Sequence, residues 1–236
     1  MTILILMSVF AGALTTVTGA GGGLLLLLVL SALWEPARAL AVTAPALLLG
    51  NAHRAITLRK AADYDAAKAF ALGAFPAGLL GGLLAGVIPG GVVHWLLVGL
   101  TLASLLRAVL NVRVHIPAAA LLGSGAGIGL LTGATGGAGM LVSPLLLSRG
   151  LVRERYIATG ACCGMVLHVS RICGYGAAGM FSHGVWLEAG VAAVALLGGN
   201  WLGLRLRPAA ARIPAGWLEH GVLLTSVTIA SVGALC

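Results

Sequence analysis

Charge is scarce in this sequence. Only 8% of its 236 residues are charged and just six are acidic, whereas a soluble domain carries about 25% charged residues. The chain also lacks a CxxC pair, a metal-ligand spacing and the Lys-Ser/Thr that completes a phosphate-binding loop. No basic stripe is interleaved with aromatic residues. These absences argue against a soluble enzyme, a metal or other cofactor, ATP-driven chemistry and nucleic-acid binding.

Apolar residues and glycine take the place of charge. Sixty per cent of the residues are apolar, the mean hydropathy is +1.07 and there are 36 glycines. Glycine at this frequency is typical of membrane bundles, where small residues let helix backbones approach closely. We therefore predict an all-α, multi-pass protein of the cell membrane (a bacterial inner membrane), whose solvent is the lipid bilayer. The apolar segments are 3–33, 39–56, 69–88, 91–110, 117–148, 156–178, 184–204 and 217–236.

The chain is internally duplicated. Segment 12–24 (GALTTVTGAGGGL) matches segment 129–141 (GLLTGATGGAGML) at seven of thirteen positions, without a gap, at an offset of 117 residues. The same register aligns Asn51 with His168 and Arg54 with Arg171. The sequence therefore predicts a single transmembrane transporter domain, 1–236, built from a first repeat, 1–115, and a second repeat, 116–236.

Two apolar segments, 3–33 and 117–148, are too long for one crossing, since about 20 helical residues span the hydrocarbon core. Each has glycines near its middle, so each is predicted to be either a kinked crossing or a re-entrant hairpin. If all eight segments cross, seven basic residues face each side. If the two long segments are re-entrant, the distribution is twelve against two, as the positive-inside rule expects.

The charge distribution therefore favours three crossing helices plus one re-entrant segment in each repeat. An odd number of crossings makes the two repeats inverted, and it puts both termini outside the cytoplasm. Eight crossings with parallel repeats remain the alternative.

The two glycine segments carry a family resemblance. Each contains a TGxxG core, Thr18-Gly19 to Gly22 and Thr135-Gly136 to Gly139, followed by an apolar arm. With the four-plus-four apolar pattern, the chain resembles the sulfite exporter TauE/SafE family of small anion permeases. A proline often follows the core in that family; Pro144 fits, but Leu27 occupies the matched place. The resemblance implies transport of sulfite, sulfonates or related organic anions.

The glycine turns are also the predicted substrate site. A helix that restarts after such a turn presents unpaired N–H groups and a positive dipole end, to which threonine hydroxyls add donors. The alternative is close packing through small residues, with each hydroxyl bonded to its own helix. Arg171 is expected near the interface, and Asn51 and His168 each need a polar partner in the membrane. The predicted substrate-binding residues are Thr15, Thr18, Gly19, Gly21, Gly22, Thr132, Thr135, Gly136, Gly139, Asn51, His168 and Arg171.

The functional prediction is a secondary transporter that exports or imports small sulfur-containing oxyanions. The alternatives are a permease for another small organic anion and a membrane thiol-redox protein. The redox alternative wants a thiol in each half, yet Cys162, Cys163, Cys173 and Cys236 all lie in the second. Proton coupling through His168 and a homodimer are both left open.

Overall fold

The computed structural model describes residues 1–109, 117, 120–210 and the single residues 221, 224, 225 and 228. Within these residues the chain is helical and has no β-strand. The helices are α1 (Thr2–Thr18), α2 (Gly22–Leu33), α3 (Pro36–Thr57), α4 (Tyr64–Ala85), α5 (Gly90–Val109), α6 (Ala120–Thr135), α7 (Val142–Ser148), α8 (Arg153–Ala177) and α9 (His183–Ala210).

Three of the described helices, α4, α8 and α9, are long and apolar enough to cross a membrane. Helix α3 has 22 residues and is therefore about 33 Å long. The helix bounds agree closely with the predicted apolar segments, which confirms the all-α prediction. The last predicted segment, 217–236, lies outside the described residues except for four single positions.

Both long segments are broken at their glycines, as predicted. In the first, α1 ends at Thr18, and Gly19 and Gly21 then adopt φ values of 86° and 92° before α2 begins. In the second, Gly136 has a φ of 76° and leads into a 3₁₀ turn, Ala138–Leu141, and then into α7. Positive φ strains residues that carry a Cβ, so glycine is required at these three positions.

Helix α2 folds back against α1. A methyl group added at Gly22 would overlap the carbonyl oxygen of Ala11, about two turns before the end of α1. The returning helix therefore lies beside α1 rather than continuing it.

Glycine seams join the two halves. Added Cβ atoms at Gly73 or Gly81 of α4 would strike the backbone of α6, and those at Gly12 or Gly199 would strike the opposite helix of the α1–α9 pair. Helices α1 and α6 hold matched positions in the two repeats, as do α4 and α9. The first helix of each half therefore packs against the fourth helix of the other half, through small residues.

Side-chain contacts fix the directions of the central helices. Arg171 of α8 donates to the carbonyl of Leu40 near the start of α3 (3.3 Å), while Gly164, earlier in α8, packs on Asn51, later in α3. Helices α3 and α8 therefore run antiparallel.

The two remaining long helices follow this central pair. Helix α4 runs with α8, because Gly78 lies beside Ser170 and Gly86 beside Ala178. Helix α9 runs with α3, because Arg38 pairs with Glu188 near both helix starts and Asn200 donates to the carbonyl of Gly50 (3.0 Å) further along.

The ends of the bundle differ in charge. Arg155 pairs with Asp63 (3.4 Å) and Arg207 reaches Glu154 (4.0 Å), so the loop after α3, the start of α8 and the end of α9 meet at one end. The Arg38–Glu188 pair marks the opposite end. We call these the basic end and the Arg38 end. The described cations near the basic end are Arg59, Lys60, Lys68, Arg149, Arg153, Arg155, Arg205 and Arg207.

Candidate functional site

The two glycine breaks line one cavity. It has a volume of about 100 Å³, enough for several waters or one small polyatomic anion. The first break contributes three consecutive residues and the second contributes three more: Gly19, Ala20, Gly21, Gly136, Gly137 and Gly139. The fold therefore brings together two segments that are separated by 117 residues in the sequence.

Arg54 lines this cavity from α3. Its side chain is only 7% exposed, and its Nη2 donates to Oδ1 of Asn51 one turn earlier (2.6 Å). Asn51 in turn donates from Nδ2 to the carbonyl of Leu47 (2.9 Å). The amide therefore holds the guanidinium at the cavity wall. A guanidinium has five N–H donors, so this bond uses one of them.

Arg54 has no carboxylate partner among the described residues. The ion pairs of the described residues are Arg38–Glu188, Arg155–Asp63 and Arg207–Glu154, and none of them includes Arg54. No acidic residue is among the described residues that line the cavity. Arg54 lies in the last turn of α3, and its guanidinium is nevertheless buried, which is costly for an unpaired charge. An anion in the cavity would offset part of that cost.

The start of α2 adds a second source of positive potential. Gly21, Gly23 and Leu24 line the cavity, and no side chain of the described residues caps this helix. The first N–H groups of an α-helix have no carbonyl partner within the helix, and the helix dipole adds partial positive charge there. The second break differs, since its returning arm starts as a 3₁₀ turn followed by a helix of only seven residues. The two breaks therefore do not present equivalent helix N-termini to the cavity.

The hydroxyls of Thr18 and Thr135 form hydrogen bonds with backbone groups. Thr18 Oγ1 donates to the carbonyl of Leu14 or Ala20 (2.9 and 2.6 Å) and accepts from the N–H of Ala20 (3.4 Å). Thr135 repeats this arrangement, donating to the carbonyl of Leu131 (2.8 Å) and accepting from Gly137 N–H (3.4 Å). A hydroxyl has one proton to donate, so these two threonines stabilise the breaks.

The other two matched threonines differ from each other. Thr15 lines the cavity, but its hydroxyl proton is directed at the carbonyl of Ala11 (2.7 Å). Thr132 is fully buried, and its hydroxyl has no hydrogen-bond partner among the described residues. The role of all four threonines in binding stays a prediction.

His168 lines the cavity opposite Asn51. Its Nδ1 lies 3.2 Å from Nη1 of Arg171. Because a guanidinium can only donate, Nδ1 must be the acceptor and the ring proton must sit on Nε2. His168 and Asn51 therefore do the same work at matched positions, since each accepts a hydrogen bond from the arginine three residues later.

Arg171 does not line the cavity, although it contacts His168 and Gly136, which do. It is 0% exposed, and its expected position near the membrane interface stays a prediction. It donates to Tyr175 Oη (3.1 Å) and to the carbonyl of Leu40, and Tyr175 donates to the carbonyl of Gly133 (2.8 Å). Of the predicted site residues, seven line the cavity, namely Thr15, Gly19, Gly21, Asn51, Gly136, Gly139 and His168, and five do not, namely Thr18, Gly22, Thr132, Thr135 and Arg171.

Sequence reasoning missed three polar residues of the cavity wall, Arg54, Ser143 and Tyr156. Tyr156 donates to Ser143 Oγ (2.7 Å), which joins the start of α8 to α7. For Arg54 a signal existed: it follows Asn51 by three residues, so both lie on one helix face.

The described helices form an apolar bundle, and no acidic side chain is among the described residues that line its cavity. The described residues contain no group of three or more His, Cys, Asp or Glu that could hold a metal. The family model described as sulfite exporter TauE/SafE matches residues 4–232. The chain therefore belongs to the sulfite exporter TauE/SafE family, a family of membrane transporters. No curated protein and no solved structure gives a significant match.

Proposed function

We propose that this chain is a secondary transporter of small sulfur-containing oxyanions, with sulfite or a short sulfonate bound in the cavity between the two glycine breaks. The observation that carries the proposal is Arg54, a buried cation without a carboxylate partner among the described residues, at the wall of a cavity that both breaks line. Binding sites for cations need carboxylates or carbonyl oxygens, and this cavity offers a guanidinium instead.

The donors around the cavity suit an oxyanion. A sulfite presents three oxygen acceptors, and Arg54 and the first N–H groups of α2 supply charge-assisted donors on one side. The Nε2–H of His168 supplies a neutral donor, consistent with the tautomer that its bond to Arg171 requires. The cavity volume of about 100 Å³ favours a small anion over a large one. The choice of a sulfur oxyanion rests on the family alone.

The halves of this transporter are inverted repeats in our proposal. Helices α3 and α8 hold matched positions and run antiparallel, and α4 and α9, which follow α8 and α3, are opposed in the same way. The Arg155–Asp63 contact also supports this arrangement. Eight crossings with parallel repeats would put the loop after α3 and the start of α8 on opposite membrane faces, where those two residues could not meet.

The basic end faces the cytoplasm in this proposal, by the positive-inside rule. Helix α1 runs with α9, since Gly12 packs on Leu196 and Gly203 on Ala13, so α1 starts at the Arg38 end. The N-terminus then lies outside the cytoplasm. The thiol-redox alternative gains no support, because the described cysteines are all free and all belong to the second half.

Transport in proteoliposomes tests the proposal. Purified protein should move labelled sulfite or a short sulfonate, and Arg54→Gln should raise the half-saturating concentration about ten- to a hundredfold, the value of a lost hydrogen bond to a charged group. Arg54→Lys should retain part of the affinity because it keeps the charge. Arg59→Gln, at an exposed position of the basic end, is the matched control. Unchanged anion affinity in Arg54→Gln would contradict the assignment.

A further inference from the structure

The cavity is only partly symmetric with respect to the duplication. Both members of several matched pairs line it, including Gly19 and Gly136, and Asn51 and His168, but Arg54, Ser143, Tyr156 and Gly160 line it without their counterparts at an offset of 117 residues. Those counterparts are all 0% exposed: Arg171, Leu26, Ala39 and Thr43. The cavity therefore opens beside Arg54, whereas the matched positions in the other half, including Arg171, are packed closed.

The packed region around Arg171 resembles the region around Arg54, because each arginine lies near a glycine break. Arg171 lies against the second glycine break, with its Nη2 about 2.9 Å from where a Cβ of Gly136 would be. Leu27 and Leu40 cover the same glycine. Arg54 similarly adjoins the first break through the cavity that Gly19 and Gly21 line. Each break therefore has its own arginine, but only one of the two reaches open space.

Arg171 holds a charge that its present neighbours do not neutralise. Its partners are Tyr175 Oη, Nδ1 of His168, the carbonyl of Leu40 and, at 3.5 Å, the hydroxyl of Thr43, which are all uncharged. No ion pair of the described residues includes it. A buried, unneutralised guanidinium is costly, and it is retained more readily where it meets an anion during function.

We propose that Arg171 is the anion-contacting arginine of the opposite-facing state, in which the two repeats exchange their packing. In that state the α3 surface that includes Leu40 and Thr43 separates from Arg171 and opens towards the Arg38 end, while the wall around Arg54 closes. The anion thus passes from one arginine to the other as the halves exchange. This inference rests on the proposed function and on the inverted arrangement of the repeats.

Matched single cysteines test the exchange. In protein with its four native cysteines replaced, Gly160→Cys reports the open site and Thr43→Cys reports the matched closed one. An impermeant thiol reagent should label position 160 from the basic face and position 43 from the opposite face, and sulfite should slow both reactions. Ala192→Cys is the control, since Ala192 is 0% exposed and its counterpart, Phe75, does not line the cavity.

The outcomes separate the two proposals. If position 160 is labelled and protected by sulfite while position 43 never reacts in an actively transporting protein, the exchange is overturned and the proposed function stands. If sulfite protects neither position, both proposals are overturned. If Ala192→Cys reacts as fast as Thr43→Cys, the reagent reports general loosening, and the exchange is overturned.

Arg171 itself is tested on the same reporters. Arg171→Gln should raise the sulfite concentration that protects position 43 about ten- to a hundredfold, and by clearly less at position 160, where only the lost bond to His168 acts. Arg171→Lys keeps the charge and replaces the glutamine variant if that variant does not fold. It should raise the protecting sulfite concentration by a smaller factor, and at position 43 only. An equal shift at both positions would mean that Arg171 is solely structural and would contradict the inference.

Discussion

Gly22 lies where the returning helix α2 passes closest to α1, and it offers a sharp test of the hairpin. A Cβ at this position would overlap the carbonyl oxygen of Ala11 and the hydroxyl of Thr15. Because the carbonyl belongs to the helix backbone, Gly22→Ala can be relieved only by moving α2 away from α1. Overpacking of this kind costs about 1–3 kcal/mol, partly offset by about 0.4–1 kcal/mol from the reduced freedom of the unfolded chain.

Gly139→Ala is the matched control. Gly139 is the counterpart of Gly22, yet a Cβ there would meet only Leu167 Cδ1 at 3.8 Å, an ordinary contact. Thermal unfolding in detergent, followed by tryptophan fluorescence, should give a Tm about 3–8 °C lower for Gly22→Ala and within about 2 °C of the parent for Gly139→Ala. Sulfite affinity should also fall in Gly22→Ala, because the start of α2 lines the cavity. Equal shifts in Tm for both variants would refute the fold-back of α2.

Three further predictions concern the breaks, the matched polar pair and the topology. Thr18→Val and Thr135→Val should each lower the free energy of unfolding by about 1 kcal/mol, because the bond to the amide two residues later is lost, and the Tm should fall accordingly. Sulfite affinity should change less than threefold. A large loss of affinity at unchanged Tm would instead mean that these hydroxyls bind the substrate. His168→Asn should keep the Tm of the parent, since asparagine already accepts from Arg54 at the matched position, but it should weaken sulfite binding because the Nε2–H donor is lost; His168→Leu should also lower the Tm by leaving Arg171 without that acceptor. Lys60→Cys and Arg149→Cys should react with an impermeant thiol reagent from one face and Glu35→Cys from the other; labelling of positions 35 and 149 from the same face would contradict the inverted arrangement.

The helices and the two breaks could be predicted from the sequence because local chemistry determines them. Runs such as 69–88 have no charged residue to interrupt them, and the glycine clusters fall at places where an L-residue would be strained. The matching of Asn51 with His168 was also visible, and both line the cavity. In each case the information lies in a short segment and does not depend on distant contacts.

The different roles of Arg54 and Arg171 could not be predicted, because the duplication makes them equivalent in sequence. They become distinct only in the fold, where Leu40 and Thr43 contact the buried Arg171 while Arg54 is left at a cavity. The use of the Thr18 and Thr135 hydroxyls was equally hidden. A threonine before a glycine can donate to a ligand or to its own helix, and only the backbone path decides between them.

Ligand-dependent thermal stabilisation, compared between the parent protein and Arg54→Gln, tests the central claim most directly. A ligand at a hundred times its dissociation constant stabilises the native state by about 2.7 kcal/mol, which raises the Tm of a chain of this size by roughly 5–10 °C. We expect sulfite to produce such a shift in the parent and in Arg59→Gln, a much smaller one in Arg54→Gln, and chloride at equal ionic strength to produce none. An equal sulfite-induced shift in the parent and in Arg54→Gln would contradict the account.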